Sequence, residues 1–162
     1  MALPDGSLLD LVKLGYQDAA GALAEHESGH AAVALFVGYD IEYATIDEAA
    51  RDGGGLVRLA PNDRKPALAN LLIVLAGNLA HGDPIQWKPA DLGDNGDEST
   101  AAALVAKLEL DRNAWFEAVD LTRAMLEVPQ VVRARKAIAG ALYEHGMLSG
   151  AQVRRLFDGH AL

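Results

Sequence analysis

Apolar residues along this chain recur mostly at the three- and four-residue spacing of helices. Ala22, Leu23, Ala31, Val33, Ala34, Leu35, Phe36 and Val37 clothe one segment almost all round, which predicts a buried helix. Asp18 is placed to cap its start and Gly38 to end it. Ile41 to Ile46 and Leu56 to Leu59 read as short strands, with Asp52-Gly53-Gly54-Gly55 as the turn between them. Asn62 or Asp63 caps a second helix, which carries Pro66 in its first turn and stops at Gly82 and Pro84. Its apolar stretch, Ala67 to Ala80, is interrupted by Asn70 and Asn78 and is too short to span a bilayer. An acidic loop from Asp83 to Gly96 follows. The capping-box pair Asn95 and Glu98 then starts a helix at about residue 96, with Asp97 at its N2 position. Helices over 112–127 and 130–145 come next, with Pro129 at N1 of the second and Gly146 at its end. Ser149 with Gln152 starts a last short helix to about Asp158. The expected fold is mainly α, with a small β-hairpin or sheet beside the first helix.

Composition narrows this further. The 162 residues fit a single domain over 1–162, large enough for a real core. Hydrophobic residues make up 51% of the chain but aromatics only 6%, a balance that suits packed helices better than a sheet. The net charge of −9 repels phosphates, so no nucleic-acid partner is expected. Arg133, Arg135 and Lys136, then Arg154 and Arg155, fall at helical spacing and read as solvated faces. The absence of cysteine excludes disulfides and thiolate metal sites, and leaves histidine and carboxylate as the strong zinc ligands. It also fits a reducing cytoplasm, the expected location. The first residues include Asp5 and Asp10 and lack a basic segment followed by an apolar run, so neither a signal peptide nor membrane attachment is expected.

The chemistry lies in the first helix. His26-Glu27-Ser28-Gly29-His30 reads H-E-x-x-H. Two histidines four residues apart share one helix face, with Cβ atoms roughly 5–6 Å apart. From there both imidazoles reach one Zn²⁺ at about 2.0–2.1 Å. Glu27 points just off that face, where its carboxylate can act as a base toward a water activated by the metal. A buried helix carrying these three side chains needs such a reason, because unpaired buried polar groups are costly.

Catalytic zinc commonly takes a third protein ligand. The extension H-E-x-x-H-x-x-G-x-x-H fails here, since Val33 and Phe36 stand at its glycine and histidine positions. Downstream candidates are His81, Asp83, Asp91, Asp94, Asp97 and Glu98, with His145 and His160 near helix ends. Asp91 to Glu98 lacks the ligand spacing of a calcium loop. Asp97 in a first turn is also explained by the helix dipole alone.

Over nearly its whole length the chain resembles the peptidase domain of the FtsH-type AAA metalloproteases. His26 to Ala31 is similar to that family's H-E-A-G-H-A. Ala44-Thr45-Ile46, followed by Gly54-Gly55, resembles its V-T-I strand and the glycine-containing strand after it. Leu75-Ala76-Gly77-Asn78-Leu79-Ala80 resembles L-A-G-R-A-A, and Gly93 to Ala102 resembles G-A-S-N-D-L-x-x-A-T. Ala141 to Glu144, Leu148-Ser149-Gly150 and Val153 resemble the terminal A-L-L-E-x-x-x-L-x-G-x-E-I pattern.

The resemblance implies a zinc metallopeptidase with the family's fold. Asp97 becomes the third ligand beside His26 and His30, and Glu27 the general base. An extended peptide or unfolded chain would pair with the second strand at Gly55, Leu56 and Val57. Self-association and a separate ATPase are the partners it suggests. His81 departs from the family, which commonly has glutamate there, and reads as a surface residue, a partner that supports the ligands, or a rival ligand. The chain lacks G-x-x-x-x-G-K-[ST] and an apolar stretch long enough to span a bilayer, so the family's ATP-driven unfolding and membrane anchoring are not expected to carry over. The alternative function is a non-catalytic, zinc-stabilised binding or assembly module derived from a protease.

Overall fold

The computed structural model describes residues 19–47, 55–61, 66–82 and 96–162. The first helix, α1 (Ala19–Phe36), is buried along most of its length, as its all-round apolar flanks require. It ends as Gly38 predicts. Gly38 takes a positive φ of 90°, and the Gly38 and Tyr39 amides donate to Leu35 and Ala34 carbonyls, a Schellman closure.

The chain then runs into β1 (Ile41–Thr45) and returns through β2 (Leu56–Leu59). These strands are antiparallel, pairing Tyr43 with Arg58, Ala44 with Val57 and Thr45 with Leu56, with an irregularity between Ile41 and Tyr43. A third strand, β3 (Met147–Ser149), was not expected from the pattern. It pairs antiparallel with the other side of β1, so among the described residues the sheet order is β2-β1-β3 and β2 lies at an edge.

The second helix, α2 (Ala67–His81), begins after Pro66, which stands as its N-cap and not in its first turn. The proposed caps Asn62 and Asp63, the turn residues 52–54, and Pro84 lie outside the described residues, as does Asp18. Gly82 closes α2 with φ 89°. Asn70 in this apolar helix is explained by a partner, since the Tyr39 hydroxyl donates to its Oδ1. The remaining helices are α3 (Asp97–Leu108), α4 (Arg112–Leu126), α5 (Pro129–His145) and α6 (Gly150–Phe157). Asp111 caps α4 by accepting from the Ala114 amide at 2.8 Å, and Ser149 with Gln152 forms the expected capping box of α6.

Two apolar clusters organise the packing. The larger gathers Ala31, Ala32, Val33 and Leu35 of α1 with Ile73 and Ala76 of α2, Ile138 and Leu142 of α5, Leu148, and Val153 of α6. The smaller joins Leu71, Leu72 and Leu75 of α2 to Ala101 and Val105 of α3 and Trp115 and Val119 of α4. Helix α2 serves both clusters from different faces, which is why its sequence is apolar on nearly every side. The fold is therefore mainly helical with a small antiparallel sheet, in the class the pattern predicts. Among the described residues no helix is long and apolar enough to cross a membrane.

Candidate metal centre

Helix α1 carries His26, Glu27 and His30 toward the centre of the molecule, where Glu27 and His30 are buried and His26 is partly open. The helix sits close against α2 because of a small residue inside the motif. A β-carbon on Gly29 would meet the Ala76 carbonyl oxygen and the Ala80 β-carbon, each at 2.5 Å. That contact brings His30 within reach of α2. Its Nδ1 lies 2.7 Å from the Ile73 carbonyl. A carbonyl only accepts, so Nδ1 donates there, and Nε2 is the atom left to face the site.

The two Nε2 atoms lie 3.0 Å apart, with the rings nearly perpendicular at 80°. Asp97, the first residue of α3, brings its Oδ2 to 2.6 Å from His26 Nε2 and 3.0 Å from His30 Nε2. The aspartate thus occupies N1 behind Gly96, not N2. The capping residue expected for α3, Asn95, lies outside the described residues.

Hydrogen bonds alone serve this triangle poorly. If both imidazoles donate to Asp97, two N–H groups crowd each other on the nitrogen–nitrogen edge. A cation facing all three atoms uses a lone pair from each and removes the conflict. Against the roughly 3.3 Å between donor atoms in a tetrahedron of about 2.0 Å bonds, the two 3.0 Å edges are about 0.3 Å short and the 2.6 Å edge about 0.7 Å short. The donor set therefore suits a metal ion. His26, Glu27 and His30 by themselves also form a group that could hold one, with ligand atoms within 4.8 Å of each other.

Charges are tightly coupled here. Burial pulls the His30 pKa down, but the hydrogen bond and charge of Asp97, the charge of Glu27 and the Ile73 carbonyl outweigh it and raise it to about 8. Burial pushes the Asp97 carboxyl up, yet the hydrogen bonds and charges of His26 and His30 hold it well below the usual carboxylate range. Asp97 is thus an anion placed where positive charge is wanted.

Of the other candidates, His81, Glu98, His145 and His160 are among the described residues. His81 Nδ1 lies 3.4 Å from Glu25 Oε2. Glu98 is exposed, as are His145 and His160. Asp83, Asp91 and Asp94 lie outside the described residues. Of the expected peptide-binding residues, Gly55 abuts Glu27. A β-carbon on it would fall 2.4 Å from Glu27 Oε1, so the chain entering β2 lies directly on this carboxylate. Leu56 and Val57 follow on the edge strand, half-buried and paired with β1.

Three contributions had no assigned role in the sequence: the Ile73 carbonyl, Gly29, and Gly77, at which an added β-carbon would meet His30 and His26 Nε2. Glycines inside apolar helices were the available signal, because a helix interior disfavours them. Comparison with models of known protein families and with curated proteins finds no match to this chain.

Proposed function

We propose that the chain is a zinc metallopeptidase acting on unstructured polypeptides. The observation that carries this is the place of Glu27. Its carboxylate lies within 4.8 Å of the two imidazole nitrogens, while Asp97 Oδ2 lies within 3.0 Å of both. Three side chains are thus available as ligands, with an acid–base group beside them. When bound, zinc supplies Lewis-acid polarisation of a carbonyl and makes water more acidic. His26, His30 and Asp97 hold it. Glu27 takes a proton from water and delivers it to the leaving amine. Gly55, Leu56 and Val57 offer an edge to which an extended peptide can add as a strand, bringing its backbone past Glu27. The resemblance to FtsH-type peptidase domains supports the same assignment, Asp97 included.

A second reading has one observation in its favour. Glu27 can itself offer a ligand atom, and four protein ligands would close the site, as in a structural zinc module that only binds partners. Glu27→Gln separates the two. For the peptidase, zinc stays bound and hydrolysis of casein, an unfolded substrate, falls by about two to four orders of magnitude. If Glu27→Gln loses zinc, and the zinc-loaded native chain cuts neither casein nor a broad peptide library, the binding module replaces the enzyme.

A further inference from the structure

Gly77 lies in the interior of α2, where only proline is a poorer helix residue. A β-carbon there would first meet His30 Nε2 at 2.3 Å, His30 Cε1 at 2.5 Å and His26 Nε2 at 2.7 Å. All three atoms belong to the imidazoles that converge on Asp97. Ile73, whose carbonyl accepts from His30 Nδ1, is one turn earlier on the same face. Helix α2 therefore holds His30 by its far nitrogen and presents a bare Cα to its near one.

We infer that Gly77 is a positioning residue of the metal centre: its missing side chain is the space in which the Nε2 atoms of His26 and His30 are seated. Helix α2 then fixes where the ligand atoms stand without contributing a ligand. The inference rests on the proposed metal site and not on peptide hydrolysis. Gly29 makes a useful contrast, because a side chain there meets the α2 backbone and would push helix from helix.

The imidazoles are side-chain ends, so Gly77→Ala can be accommodated by displacing them, and the fold need not fail. The test uses the full chain in two backgrounds, native and His26→Ala/His30→Ala. Zn²⁺ affinity is measured by competition with a chromophoric chelator. The denaturation midpoint is measured on chelator-treated protein. Gly77→Ala is expected to weaken Zn²⁺ binding at least about tenfold, within the roughly 10–100-fold cost of disturbing groups that orient metal ligands. Without the imidazoles, Gly77→Ala is expected to leave the midpoint unchanged or raise it, since alanine is the better helix former and its β-carbon no longer meets them. Gly29→Ala is expected to lower the midpoint in both backgrounds. Native-like Zn²⁺ affinity in Gly77→Ala overturns the inference while leaving the metal site standing. So does an equal loss of midpoint with and without the imidazoles. A native chain that takes up no Zn²⁺ overturns the metal site and this inference together.

Discussion

At the scale of single residues, the centre depends on which side chains converge and which only lie nearby. Asp97 is partly exposed at the start of a helix, a position where many aspartates serve only the dipole. Here its Oδ2 touches both imidazoles, and they hold it ionised. His81 belongs to a different pair, with Glu25. Asp97→Ala should therefore weaken Zn²⁺ binding more than about 100-fold, beyond the usual cost of losing an outer partner, while His81→Ala should cost about tenfold or less. Calorimetric titration of the metal-free variants with Zn²⁺ checks both. The reverse order would make His81 the ligand and remove Asp97 from the site. The sequence carries the two histidines and Glu27 openly, because their spacing is local. Asp97 is 71 residues from His26, and no spacing rule reaches that far. Its place as a ligand rests on a motif resemblance, and the structure brings its Oδ2 to both imidazoles.

At the scale of elements, local signals marked where most helices stop and start. Gly38, Gly82 and Gly146 end helices with positive φ, Pro129 opens α5, and Ser149 with Gln152 caps α6. Strand β3 escaped notice because three residues between two helices have no periodicity to read, and only pairing with β1 makes them a strand. The placement of β2 is equally non-local. Gly55 carries the chain across the Glu27 carboxylate, whose Oε1, Cγ and Cδ would all lie within 2.7 Å of an added β-carbon. These are side-chain atoms, so they can yield without disturbing the backbone, but yielding moves the carboxylate proposed as the base. Gly55→Ala should accordingly keep its Zn²⁺ and its thermal midpoint. It should lose about 100-fold in kcat on an unfolded substrate, the scale of an ångström's misplacement of a reacting group. A variant with unchanged kcat would separate β2 from the chemistry.

At the scale of the whole molecule, the question is whether the metal holds the fold or is held by it. The two apolar clusters run through all six helices, α1 to α6, and are built from aliphatic and aromatic side chains, with none of the ligands among them. A chain of this size buries enough surface to fold on that basis. Small zinc modules behave differently, because the metal is their core and they unfold without it. Chelation should therefore leave the far-ultraviolet circular dichroism of this protein nearly unchanged. Zn²⁺ should still stabilise by mass action, by about 2.7 kcal/mol when free metal is 100 times its Kd. At roughly 2–4 °C per kcal/mol for a domain of this length, that is a rise in Tm of about 5–11 °C. The rise should vanish in His26→Ala/His30→Ala, whose own Tm should not respond to Zn²⁺. Loss of helical signal on chelation would mean that the ligand triangle carries the fold. The centre would then be structural, and the peptidase would give way to the binding module.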